Sequence, residues 1–382
     1  MTLKKTTTRL LAALMTVIVL LSGGIMQVMA EDNAAEFPPK KTIAVIIQNT
    51  DDAVMSMVKK LLDSAAEALN VELLYKTGDL DGGAQIQAVE NVIAAGVDGI
   101  MIWPLADTIV PKIQQMCGDA KIPFVHMFRG ILDEDIAALT KQNPYFLGYT
   151  TENEADASVK LTEILAANGN QNVCLVYFPP GDSTGVIRYN TITETLAKEG
   201  INVLSECVLS YTSRPQTQVI DATNNFLATY PEMDSIFLLV GITGLLDGVR
   251  SVVESEDVLG KVNVVSFDHP ATGIEEMFAS GAFIGMASGG YVDPLFSFII
   301  LYNYLQGTPL SDEPIELFMD YVIVTSYDEA VSFAKYYNSD FLVYTQEEIK
   351  MMTKYYNPDF TLEDLQQIVL DYSIQDVISR FE

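Results

Sequence analysis

The stretch Ile122–Gly130, I-P-F-V-H-M-F-R-G, decides how the rest of the chain is read. Within it, Phe124–Met127 is a short apolar run entered through a proline and followed within three residues by a glycine. That pattern suits a strand buried on both faces of a parallel sheet. Such a strand delivers Arg129 at its carboxyl end. Ligands of open α/β sheets sit in the crevice outside those ends, and a guanidinium there offers fixed donors to an oxygen-rich ligand. The competing assignment is an arginine paired with one of the chain's many surface carboxylates.

Working outward, Thr42–Ile47, Val71–Tyr75 and Gly99–Trp103 share this apolar character. With Phe124–Met127 they start near residues 43, 71, 99 and 124, at intervals of 28, 28 and 25 residues. Helical periodicity fills the gaps. Val54, Met57, Leu61, Ala65 and Leu69 step by three or four behind a capping Asp51 or Asp52. Ile86, Val89 and Ile93 mark a second helix, stopped by Gly96, and a third lies around Ile109–Met116. This is the period of repeated βαβ units and predicts a parallel sheet. Pro144–Thr150 reads as extended, and a helix runs from Glu152 to about Asn168. The arrangement then restarts with strands at Val173–Phe178, Ile201–Leu209, Ser235–Val240 and Val262–Phe267, and helices over 186–198, 217–229 and 243–254. G-V-D-G-I-M-I at 96–102 and E-M-D-S-I-F-L at 232–238 hold matching places in the two arrays.

The predicted fold class is therefore α/β, with two Rossmann-like doubly wound parallel-sheet lobes in tandem. Phe283–Ala287, the helix Val292–Gln306 and the strand-like Phe318–Thr325 could join either lobe. Asp328–Tyr337 reads as helical. The tail, 338–382, carries Ile349, Met352, Leu362, Leu365, Ile368 and Val369 at helical spacing, which fits packing on a lobe or an interaction module. Two lobes meeting at their carboxyl edges make a hinged cleft, where ligand pockets concentrate.

The first 30 residues read as an export signal: Lys4, Lys5 and Arg9, then the apolar Leu10–Leu21, then Val28-Met29-Ala30. Retention of Leu10–Ala30 as an anchor is the alternative. Residues 31–40 read as a flexible leader. Removing the signal takes the net charge from −29 to −32 over 352 residues. Such a polyanion is repelled by phosphate backbones, which argues against nucleic acid as a partner. Hydrophobic residues make up 49% of the chain, too many for acidic disorder. Cys117, Cys174 and Cys207 show no pairing pattern and are expected as buried thiols, with one disulfide possible.

The residues that carry a family likeness are K-T-I-A-V-I-I with D-D-A-V-M-S-M-V-K-K, A-A-G-V-D-G-I-M-I-W-P, I-P-F-V-H-M-F-R, S-T-G-V-I-R-Y-N and V-N-V-V-S-F-D. In order and spacing, residues 41–337 resemble the type I periplasmic binding proteins of the ribose and galactose class. The resemblance implies an extracytoplasmic solute receptor, expected as a monomer, that closes on its ligand and presents it to an ABC transporter permease. It implies a three-strand hinge. The first lobe would hold residues 41–148 and about 289–316, the second 149–288 and about 317–337. It also implies ligand contacts from Asp52, Arg129, Arg188 and Asp268, with Asp182 and Thr184 in the loop before Arg188.

Carboxylates that accept from vicinal hydroxyls, guanidinium groups that donate back and an aromatic face over the C–H side suit a sugar. The departures are Val54 for a stacking aromatic, Phe128 for an acid or amide, L-L-V-G-I-T at 238–243 without Asn-Asp, and Ser288 for an amide. Phe128, Trp103 and Phe178 are expected to supply the apolar face, with core packing the alternative for Trp103. The arginines and aspartates could instead form structural ion pairs across the cleft.

A sensor delivering a non-sugar ligand to a chemoreceptor or kinase is the alternative function. A lactose-repressor-like regulator is rejected for want of a basic DNA-binding headpiece. An enzyme is not expected. His126 reads as a satisfied core residue, and His269 as a ligand contact or a loop residue. No H-x-x-x-H, Cys-Cys metal pair or G-x-S-x-G elbow is present. Gly82-Gly83 and Gly289-Gly290 read as turns, and no cofactor is expected.

Overall fold

Alternation of apolar strand and amphipathic helix builds two sheets in succession. In the computed structural model the described residues are 37–48, 53–78, 80–179, 183–210, 215–240, 244–255, 258–270, 272–338 and 341–381. Strands β1 (Lys41–Ile47), β2 (Val71–Thr77), β3 (Gly99–Ile102), β4 (Phe124–His126) and β5 (Phe146–Glu152) make the first sheet. They alternate with helices α1 (Ala53–Ala68), α2 (Gly82–Ala95), α3 (Val110–Ala120) and α4 (Glu134–Lys141). Helix α5 (Glu154–Asn168) opens the second array. It continues with β6 (Asn172–Tyr177), α6 (Ser183–Glu199), β7 (Asn202–Val208), α7 (Pro215–Thr229), β8 (Ser235–Leu238), α8 (Leu245–Ser255), β9 (Asn263–Phe267), α9 (Ile274–Ala279) and β10 (Phe283–Ser288).

The central strands read as near-continuous apolar runs because helices cover both faces. Ile43, Ala44, Val45 and Ile46 have no exposed surface. Each fully buried aliphatic side chain contributes about 1.5–3 kcal/mol over its exposed state.

The chain then returns to both sheets. Helix α10 (Asp293–Leu305) lies between β3–β5 and α1, and is buried over its first eleven residues. The run read as one strand, Phe318–Thr325, is two. β11 (Ile315–Met319) pairs parallel to β5, and β12 (Val322–Val324) pairs antiparallel to β10. Asp320 and Tyr321 make the crossing between the sheets. The resulting orders are β11-β5-β4-β3-β1-β2 and β12-β10-β9-β8-β6-β7. β5 reaches Glu152, beyond the expected helix start, because Asn153 caps α5 by accepting from the Asp156 amide. Gly148, at φ +114°, lets β11 approach β5. A β-carbon there would lie 1.9 Å from the Ile315 carbonyl oxygen.

Helices α11 (Tyr327–Tyr336), α12 (Gln346–Met351), α13 (Leu362–Asp371) and α14 (Ile374–Phe381) complete the chain. Thr345/Glu348 and Thr361/Asp364 form capping boxes on α12 and α13. The tail packs on the body of the protein. Gln346 Nε2 donates to the Ser64 carbonyl of α1 at 3.3 Å, and the Lys354 amide donates to Asn303 Oδ1 of α10 at 2.8 Å. Tyr372 Oη donates to the Gly289 carbonyl at 3.0 Å, and Phe341 packs edge-on against both Tyr336 and Phe381. The tail therefore touches elements attached to both sheets. Cys117, Cys174 and Cys207 are free thiols. No helix among the described residues is long and apolar enough to cross a membrane.

Candidate functional site

The carboxyl ends of the two sheets converge on one cavity of about 200 Å3. Its wall follows the strand ends. Gln48 comes after β1, Trp103 after β3, Phe128 and Arg129 after β4, and Glu152 ends β5. From the other side Phe178 follows β6, Leu239 and Val240 follow β8, and Asp268 and His269 follow β9. This is where open α/β sheets place ligands.

Two residues at matching strand ends, Phe128 and Asp268, hold left-handed backbone at φ +63° and +59°. Such conformations cost a non-glycine residue about 1–3 kcal/mol and persist only where the surroundings enforce them. At Phe128 the enforcement is visible. Its amide donates to Asp293 Oδ1 at 2.8 Å, and its carbonyl accepts from Arg129 Nη1 at 2.8 Å. Its ring lies 4.8 Å from that of Trp103, and the Arg129 guanidinium sits 5.2 Å from the Trp103 ring centre. Gln85 anchors that loop from α2, donating to the Trp103 carbonyl at 2.8 Å and accepting from the Leu105 amide at 2.9 Å.

The opposite wall is organised around Arg188, buried on α6. Its Nε and Nη2 donate to the two oxygens of Glu154 at 2.6 and 3.2 Å. Its Nη1 donates to the Leu239 carbonyl at 3.1 Å, and its Nη2 donates also to Tyr321 Oη at 2.7 Å. The guanidinium lies 3.8 Å from the Phe267 ring centre. Four of its five hydrogens are thus engaged. Burial works against the charge, but Glu154, Tyr321 and Asp268 outweigh it and raise the pKa, so the cation is held.

Around the crossings between the sheets sit carboxyls in a drier setting. Asp293 Oδ1 accepts from Thr150 Oγ1 at 2.7 Å as well as from Phe128. Burial nevertheless pushes its pKa up to about 7, against those hydrogen bonds and Arg129. Glu152, 5% exposed, is pushed well above the carboxylate range by burial and then by Asp293 and Glu154, with Arg129 opposing. His269 shares a 2.7 Å hydrogen bond between Nδ1 and Ser288 Oγ, and burial lowers it to about 4, so it is neutral at pH 7.

The sequence named part of this wall. Trp103, Phe128, Arg129, Phe178, Thr184, Arg188 and Asp268 all line the cavity. Trp103 is therefore a wall residue, packed on Phe128. Ser288 does not line the cavity; it stands behind His269, because its buried hydroxyl is used by the imidazole. Asp52 and Asp182 lie outside the described residues. His126 is in the core as expected but is not satisfied. Both ring nitrogens lack a hydrogen-bond partner among the described residues, and burial among apolar neighbours lowers it to about 3. Glu152, Glu154, Tyr321, Gln48 and Asp293 were missed. Glu154 and Asp293 read as ordinary acids of a first helical turn, and Tyr321 was hidden inside an apparent strand.

Two α/β lobes with a ligand-sized cavity between their strand ends define a two-lobed solute receptor. The match to a periplasmic binding protein domain, over residues 43–289, identifies the chain as a member of that family. Membership makes it a binding protein rather than an enzyme. A xylitol-binding protein of Mycolicibacterium smegmatis is 22% identical over 263 residues, covering 67% of this chain and 70% of that protein. An ABC transporter solute-binding protein from Bacillus halodurans, solved with myo-inositol, is 19% identical with a TM-score of 0.65, over 79% of this chain and 99% of that one. A periplasmic solute-binding protein from Actinobacillus succinogenes, solved with D-allose, is 18% identical with a TM-score of 0.66, over 76% and 99%.

Proposed function

We propose that the chain is the extracytoplasmic receptor of an ABC importer, and that its cavity takes a monosaccharide or related small polyol. The observation that carries this reading is the mixed wall: carboxylates and guanidiniums beside Phe128, Trp103 and Phe178 around one small cavity. Hydroxyls that both donate and accept fit the polar part, and the C–H faces of a ring fit the aromatic part. The ligands named for the relatives are of that chemistry, and the sensory alternative gains nothing from them. In this reading Arg129 and Asp268 make the polar contacts, with Arg188 contributing its remaining hydrogen. The lobes close about the crossings near 152–154, 288–290 and 319–321, a permease reads the closed form, and residues 1–30 direct export.

The test is thermal unfolding of the purified protein with sugars, polyols, nucleosides and amino acids. A ligand that binds only the folded form raises the melting temperature by mass action. The expected result is a shift with a sugar or polyol that disappears in Arg129→Ala and Asp268→Ala. A shift with nucleosides or amino acids alone, or with nothing in the panel, would count against the reading.

A further inference from the structure

The buried charge around the cavity does not balance. Among the described residues Glu152, Glu154, Asp268 and Asp293 face Arg129 and Arg188. Arg188 is occupied by Glu154. Arg129 lies within electrostatic range of both Glu152 and Asp293 and lowers the pKa of each. Asp293 has two donors on one oxygen. Glu152 is different. Its carboxylate meets its own backbone amide and the charge of Arg129, with no side-chain hydrogen bond to it among the described residues, while Asp293 leaves only Oδ2 without a partner. It is also 5% exposed and lines the cavity. Its place is built: Gly290 lies against it, and a β-carbon there would come within 2.4 Å of Oε1.

A buried, unmatched carboxylate in a ligand cavity selects among ligands. An anionic sugar would bring a second negative charge against it. A neutral hydroxyl supplies one donor and no charge. A protonated amine supplies a compact charge with three donors and makes a charge-assisted hydrogen bond. We propose that the ligand is a polyol bearing a protonated amine, such as an amino sugar or amino-cyclitol, and that Glu152 is the residue that takes the ammonium. This rests on the receptor reading above and narrows it.

The proposal has a proton signature. Burial, Asp293 on α10 and Glu154 on α5 make Glu152 hold its proton more tightly than an exposed carboxyl, against Arg129 after β4, with Tyr321 at the crossing beside it. An ammonium requires the carboxylate. Where Glu152 carries its proton, binding breaks the O–H bond, leaves the electron pair on the carboxylate facing the ligand cation, and releases that proton to solvent. A neutral polyol releases none.

The experiment is calorimetric titration at pH 7, in two buffers of different ionisation enthalpy. The ligands are matched sets: glucose, glucosamine and N-acetylglucosamine; the galactose equivalents; and an inositol with its amino analogue. The expected result is an amine at least about tenfold tighter than its hydroxyl counterpart, with the gain abolished by acetylation. Proton release on binding should be seen for the amine alone. Glu152→Gln should remove both the preference and the proton release, leaving the amine no tighter than the variant's own neutral member. Neutral polyols binding as tightly as amines would overturn this inference and keep the receptor reading. So would an amine preference that survives Glu152→Gln. No binding by any member of the sets would overturn both.

Discussion

The two walls of the cavity are built to different standards of completion. On the second-lobe side, Arg188, Glu154, Tyr321 and the Leu239 carbonyl satisfy one another before any ligand arrives. On the hinge side, Glu152 and Asp293 are buried acids with too few partners, beside a strained Phe128. The difference teaches where stability and recognition reside. A finished network rigidifies a wall, and an unfinished one leaves free energy for a ligand to recover.

The contrast can be broken most sharply at Arg188. Arg188→Met leaves Glu154 buried and unpaired, and should lower unfolding free energy by about 3–5 kcal/mol in chemical denaturation. A loss below about 1 kcal/mol would mean that the network is not what holds this wall.

Asp293 gives the next effect, through pH. A carboxyl raised from its unfolded value near 3.8 to about 7 binds its proton more tightly when folded. Its contribution is therefore fully present below the unfolded pKa and is lost as pH rises through about 7. Denaturation midpoints should show about 1–3 kcal/mol of this group's stabilisation disappearing between pH 4 and 7. Asp293→Asn should flatten that slope. A slope unchanged in the variant would place the titration elsewhere.

Glu152→Gln tests the opposite sign. Removing an unpartnered buried acid should stabilise the unliganded protein by about 1 kcal/mol, read as a raised melting temperature. Destabilisation of that size would show that Glu152 belongs to a finished network after all. The smallest effect is expected behind the cavity. Tyr372→Phe removes one hydrogen bond to Gly289 and should cost about 0.5–1.5 kcal/mol.

The fold was legible because its signals are local and repeated: an apolar run, a helix at 3.6-residue spacing, and a return after 25 to 28 residues. Arg129 was legible for the same reason, since it comes just after such a run, while Asp268 was reached through the family resemblance. Glu152 and Asp293 were not. Their burial comes from later passages of the chain between the sheets, and nothing local tells a buried acid from one that caps a helix. The Phe318–Thr325 stretch misled for a related reason. Its composition is continuous, while the break at Asp320 and Tyr321 exists only because two different sheets claim its halves. Ser288 was placed in the wall by correspondence alone, and its hydroxyl is spent on His269.

That weaving sets a lower limit on what can be cut away. The match to the family model ends at residue 289, yet each sheet takes an edge strand from beyond it, and Tyr372 closes over the Gly289 carbonyl. A recombinant piece trimmed to the homologous segment would bare two sheet edges and the aromatic surface under the tail, and such edges invite aggregation. The unit of folding here is longer than the unit of kinship.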